Sequence, residues 1–251
     1  MKMKATVAYD GSGFHGFAVN AGVRTVAGDI EAALTTVVGL PVTITCAGRT
    51  DRGVHGRGQV ISFEIPDGVD VTPDRIESSL NGLCKPAVVV RDVSEADADF
   101  DARFSARWRR YRYQVLNAQL PDPLRANVAW HVWQPLDVAA MNAAAAHLVG
   151  EHDFASFCKR VKVADGEPEK STVRNVTSAE WRSGDDDIIE FWVEATAFCH
   201  QMVRSFVGTC VDVGMGRVDA DEIPDILAAK DRTRAGQVAP PHGLTFWEVG
   251  Y

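Results

Sequence analysis

The chain has 251 residues, 46% of them hydrophobic, with 26 Lys and Arg against 34 Asp and Glu and a formal charge of −8. That content can bury a real core, as one large α/β domain or as two halves of ordinary size, and it excludes a disordered polyelectrolyte. No stretch reaches the roughly 18 unbroken apolar residues of a membrane span, and the N-terminal residues run into strand-like alternation without an apolar leader, so a soluble cytoplasmic protein is expected.

Residues 4–9 alternate as a strand, and Val26, Ile30, Ala33, Leu34, Val37 and Val38 recur at helical spacing behind a possible Thr25 N-cap, giving a helix over 25–38. VTITCA at 42–47 is a second strand, and residues 59–65 alternate again, with Ile61, Phe63 and Ile65 on one face. Thr72-Pro73 opens a helix over 73–82, followed by the strand AVVVRDV. In the second half YRYQVLN and VAWHVW read as strands, and VAAMNAAAAHLVG as a helix capped by Asp137 and ended by Gly150. IIEFWVEATA at 188–197 is a strand, residues 200–214 put Met202, Val203, Phe206, Val207, Cys210 and Val211 on one helical face, and LTFWEVG closes the chain. This order predicts an α+β protein: a mixed, mostly antiparallel central sheet with helices on one face.

Five scattered cysteines contain no C-x-x-C pair and the histidines form no ligand pattern, so neither a disulfide frame nor a metal is expected. DGSGFHG at 10–16 satisfies G-x-G-x-x-G after a strand, but the polar stretch AVNAGVR separates it from the next helix. Dinucleotide binding, which places the pyrophosphate on that helix's N-terminus, is therefore rejected, and no nucleotide cofactor is expected.

The net charge conceals its distribution. DVSEADADFD at 92–101 holds five acids, whereas ARFSARWRRYRY at 102–113 holds Arg103, Arg107, Arg109, Arg110 and Arg112 and no acid, as expected if one face meets phosphate. AGRTDRGVHGRG at 47–58 sets Asp51 among Arg49, Arg52 and Arg57 on a loop with four glycines, which reads as backbone opened for close approach by an anionic ligand. From chemistry alone Asp51 is either a turn residue in a surface ion pair or a functional carboxylate kept ionised by its neighbours. Tyr111 either stacks on a base, as aromatics among arginines can, or alternates into the core as an ordinary strand residue. Arg204, on an apolar helix, either faces solvent or is half-buried against a carboxylate such as Asp51.

YDGSGFHGF, AGRTDRGVHGRGQV, DARFSARWRRYRY and FCHQMVRSFVG, in that order, resemble the tRNA pseudouridine synthase A family from about residue 4 to the last strand. The resemblance implies an isomerase that converts uridine to pseudouridine at positions 38, 39 and 40 of the tRNA anticodon stem-loop, without metal or nucleotide cofactor. It implies Asp51 as the catalytic carboxylate, Tyr111 against the target uracil, Arg49 displacing or replacing the flipped base, and Arg204 paired with the carboxylate. Phosphate contacts fall to Arg52, Arg57, Arg103, Arg107, Arg109, Arg110 and Arg112. The family implies a homodimer in which one tRNA contacts both subunits. Each subunit has two similar halves around a cleft, here 1–104 with the Asp51 loop and 105–251 with Tyr111 and Arg204. Ala18 and Ala27 stand where the family usually has glutamine, and Arg52 where it has alanine. The rival functional reading is a non-catalytic tRNA-binding or chaperone protein, which would share the arginines but not need Asp51.

Overall fold

The computed structural model describes residues 1–159 and 171–251. In chain order the strands are β1 (Lys2–Tyr9), β2 (Ile44–Cys46), β3 (His55–Glu64), β4 (Val88–Glu95), β5 (Trp108–Leu116), β6 (Trp130–His131), β7 (Gly150–Asp153), β8 (Val173–Ser183), β9 (Ile188–Ala195) and β10 (Leu244–Gly250). The helices are α1 (Val26–Val38), α2 (Pro73–Cys84), α3 (Val138–Ala146), α4 (Met202–Gly214) and α5 (Ile223–Ala229). The α+β class follows as expected, and the described pairings are antiparallel except β3 with β10 and β5 with β6.

Two compact units form: Met1–Arg109 with Thr245–Tyr251, and Arg110–Leu244. In the first, the strand order is β4-β1-β3-β10, with β2 on β3. Met3, Ala5 and Val7 of β1, Ile61 and Phe63 of β3 and Val88 and Val90 of β4 share one buried face with Val26, Ile30 and Leu34 of α1 and Ile76 and Leu80 of α2. The helix starts are fixed as their caps predict: the Thr25 and Thr72 side-chain oxygens accept from Gly28 N and Arg75 N, and Gly39 ends α1 in the left-handed conformation at φ 78°.

In the second unit the order is β5-β9-β8-β7, with β6 on β5. Helix α4 is buried on nearly every side, and its Phe206 lies 5.2 Å from the Phe154 ring and 5.1 Å from the Phe157 ring. Helix α3 ends at Ala146, not at Gly150; that glycine, at φ 116°, instead begins β7. Strand β8 escapes the periodicity test because only Val176 and Trp181 are buried along it, an odd spacing produced by a register shift between Val176 and Ser178.

Both units use the same device where a strand runs out of neighbours. Asn81 of α2 donates to Val90 O at 2.6 Å and accepts from Val90 N at 2.8 Å on β4, the first strand in its sheet order. Asn142 of α3 does the same for Trp181 of β8, at 2.9 and 2.8 Å, beyond the reach of β7, which pairs only with residues 173–176. Each amide side chain satisfies a backbone N–H and C=O that would otherwise be an open strand edge.

Gly208 carries the tightest helix contact: a Cβ there would overlap the Gln237 carbonyl oxygen. Gly208→Ala is expected to destabilise the protein by about 1–3 kcal/mol through overpacking, read as a lower urea midpoint with an unchanged m-value.

Candidate active site

The segment 47–54 leaves β2 and turns back into β3 under constraints that act on almost every residue. Ala47 N donates to Val60 O at 2.9 Å, continuing the β2–β3 pairing by one residue. At Gly48 the partner strand supplies a side chain instead: Gln59 Nε2 donates to Gly48 O at 2.6 Å and its Oε1 accepts from Gly48 N at 3.2 Å. Thr50 O accepts from Phe17 N at 3.1 Å, and Thr50 Oγ1 shares a 2.9 Å hydrogen bond with the Tyr9 hydroxyl. Asp51 O accepts from Val54 N at 3.1 Å with Gly53 at φ 80°, the pattern of a turn that requires a left-handed residue at its third position. Thr50 is thereby buried, Arg49 and Arg52 are exposed, and Asp51 is half-buried.

Three of the four loop glycines, Gly53, Gly56 and Gly58, answer demands of the chain itself where space for a ligand was expected. Gly53 serves the turn, a Cβ on Gly56 would overlap the Tyr9 ring, and a Cβ on Gly58 would overlap the Trp247 carbonyl oxygen. The DGSGFHG loop packs in the same way: a Cβ on Gly11 would overlap Val54 O, while Gly16, at φ 102°, leaves only 3.0 Å between such a Cβ and Thr50 O. Gly11 N donates to His55 Nδ1 at 3.1 Å. Gly11, Gly16, Gly56 and Gly58 are thus used to pack the chain against itself.

The first-unit arginines expected to meet RNA fall into two groups. Arg109 is committed to the backbone, a departure from its expected place at RNA phosphate: Nε and Nη2 donate to Ala47 O at 3.2 and 3.0 Å, Nη1 to Ala106 O at 3.1 Å and Nη2 to Arg103 O at 2.6 Å. A planar fork with several donors suits this bracing of two segments. Arg52, Arg57, Arg103 and Arg107, like Arg49, are exposed. Arg57 lies over the Trp247 ring at 4.2 Å, and Arg103 over Phe104 at 5.2 Å. Burial pushes the Cys46 thiol up to about 11, against the opposing pull of the Arg49 and Arg103 guanidiniums.

In the second unit, Tyr111, Tyr113 and Val115 share the buried face of β5, and the Tyr111 ring meets Phe198 edge-on at 5.0 Å. Arg110 and Arg112, on the opposite face, reach across to β9: Arg110 Nη2 donates to Glu194 at 2.7 Å and Arg112 Nη1 to Glu190 at 3.2 Å. Arg204 is half-buried on α4, with Nε donating to Ala239 O at 2.7 Å. No group of three or more His, Cys, Asp or Glu among the described residues could hold a metal ion, and no helix among them is long and apolar enough to cross a membrane.

Tyr9, Thr50 and Gln59 join the site without a role that their motifs in the sequence announce. The available signal was Gln59 itself, a polar residue sharing the alternating face of Ile61, Phe63 and Ile65.

A family model described as tRNA pseudouridine synthase matches residues 5–105 and 144–251. The tRNA pseudouridine synthase A of Brevibacillus brevis is 42% identical over 252 residues, covering 100% of this chain and 99% of its own. That of Streptomyces avermitilis is 45% identical over 258 residues, covering 100% and 88%, and that of Myxococcus xanthus 41% over 251 residues, covering 100% and 92%.

The two kinds of arginine should separate in stability measurements. Arg109→Ala leaves carbonyls without their donors and is expected to cost about 2–3 kcal/mol, whereas Arg107→Ala, at an exposed position, should stay within about 0.5 kcal/mol of the parent. Urea unfolding of both variants checks the pair.

Proposed function

This chain belongs to the tRNA pseudouridine synthase family and isomerises uridine to pseudouridine in tRNA, and we propose that Asp51 is the carboxylate that carries the reaction, at positions 38, 39 and 40 of the anticodon stem-loop. The observation that supports this is the bracing of residues 47–51: backbone and buried side chains hold Ala47, Gly48 and Thr50 while Asp51 remains half-buried between exposed Arg49 and Arg52. A turn aspartate in an ordinary surface ion pair needs no such support.

The reaction breaks the N1–C1′ bond, turns the base and joins C5 to C1′, releasing the C5 proton, with no net change of oxidation state. The target nucleotide must first leave its stack, at a cost of a few kcal/mol that phosphate contacts and aromatic stacking offset. Asp51 acts as nucleophile at C1′ or C6, or as base at C2′. Tyr111 holds the uracil, Arg49 displaces the base from its stack, and Arg204 pairs with the catalytic carboxylate, its guanidinium oriented by the Ala239 carbonyl.

Exposed Arg52, Arg57, Arg103 and Arg107 are the phosphate contacts of this reading. Arg110 and Arg112 take part by exchanging Glu194 and Glu190 for phosphate. The protein works in the cytoplasm, where its substrate is processed, as a homodimer whose one bound tRNA contacts both subunits. Leu120, Leu124 and Trp133, with 79%, 93% and 58% of their surface exposed, are apolar area that a second subunit would cover.

Asp51→Asn keeps the shape of the side chain and removes its charge. It is expected to abolish tritium release from a C5-tritiated tRNA transcript while leaving tRNA affinity within a few-fold of the parent; sustained turnover in the variant refutes the assignment.

A further inference from the structure

Three polar side chains lie beneath the Asp51 loop and take no part in the chemistry described above. Tyr9, Thr50 and Gln59 are buried, at 5%, 8% and 0% exposed, and bond one another or the loop backbone. Gln59 projects from β3 on the face that carries Ile61 and Phe63, where an amide is costly unless its donors and acceptor are matched. They are matched: both ends of the amide bind the Gly48 peptide groups, at 2.6 and 3.2 Å. Tyr9 binds Thr50 Oγ1 at 2.9 Å. Its ring is fixed by the missing side chain of Gly56 and by Phe17, 5.7 Å away between centroids.

These bonds run from two rigid strands to residues 48 and 50, one on each side of Arg49, and the second immediately precedes Asp51. For the Tyr9–Thr50 pair, in which both partners are side chains, apolar groups of the same shape could fill the volume at little cost in stability. What hydrogen bonds add is direction, since they hold the Gly48 peptide groups and the Thr50 side chain in one orientation. We propose that Tyr9, Thr50 and Gln59 are positioning residues for the isomerisation, fixing the loop so that the Asp51 carboxylate meets the extruded nucleotide in a single geometry. The proposal rests on the reading of Asp51 as the catalytic carboxylate.

The test compares single-turnover rates and tRNA affinities of Tyr9→Phe, Thr50→Val, the double variant and Thr50→Ser, alongside Asp51→Asn, at a temperature where unfolding curves show each folded. Single turnover keeps product release from masking the step. Tyr9→Phe retains the ring and its packing, so folding is preserved while the hydroxyl is lost. Tyr9→Phe and Thr50→Val are each expected to slow the step on the order of 10- to 100-fold, the effect of a misplacement near 1 Å, with tRNA affinity unchanged. The double variant should be no slower than the slower single one, because either change breaks the same bond. Thr50→Ser, which keeps the hydroxyl, should recover most of the rate. Rates near the parent's in Tyr9→Phe and Thr50→Val overturn the proposal, as does a loss of rate matched by an equal loss of affinity. If Asp51→Asn is inactive while those variants run at full speed, only the positioning role fails; if Asp51→Asn turns over, the reading beneath it fails as well.

Discussion

The site depends on one constraint: a loop that presents a reactive side chain must still satisfy its own buried peptide groups. Where β2 ends at Cys46, regular strand pairing is no longer available, yet the backbone from Ala47 to Thr50 stays against the core. Side chains supply the missing partners: Arg109 for Ala47 O, Gln59 for both groups of Gly48 and Tyr9 for the Thr50 hydroxyl, while Phe17 N serves Thr50 O. Each of these groups is answered by a directional bond from a fixed element, so loop order follows from satisfying them.

The same constraint explains why the arginines are not interchangeable. A segment with five arginines and no acid looks uniform in sequence, but the fold divides it. Arg109 is consumed by carbonyls, Arg110 and Arg112 meet glutamates across a strand pair, and Arg103 and Arg107 remain exposed. The cross-strand glutamates also help to explain how a chain of net charge −8 can serve a polyanion: much of its acid neutralises arginines or faces elsewhere, and a few uncompensated guanidiniums suffice.

Much of the fold was legible because its determinants are local. Thr25, Thr72 and Asp137 each cap a helix as their positions predict, and the alternation in β1, β3 and β9 reports the buried face directly. Strand β8 was not legible, since its bulge moves the buried set from one parity to the other between Val176 and Trp181. The pairing of β10 with β3 joins residues nearly 200 positions apart, at Thr245 and His55, and no local pattern encodes it. The glycines of 48–58 were legible as a demand for close approach, but not as to what approaches: sequence cannot distinguish a ligand from Tyr9 or the Trp247 carbonyl. Gln59 was visible as a polar residue on an apolar face, yet its partner, the Gly48 backbone, becomes apparent only once β2 stops short.

Order in the loop before RNA arrives is the central claim, and native-state hydrogen exchange measures it directly. In the free protein, the amides of Gly48, which donates to Gln59, and Phe17, which donates to Thr50 O, should exchange only through openings nearly as rare as those of the β1 and β3 core. Exchange of these two amides at the rate of an unstructured peptide would contradict the account.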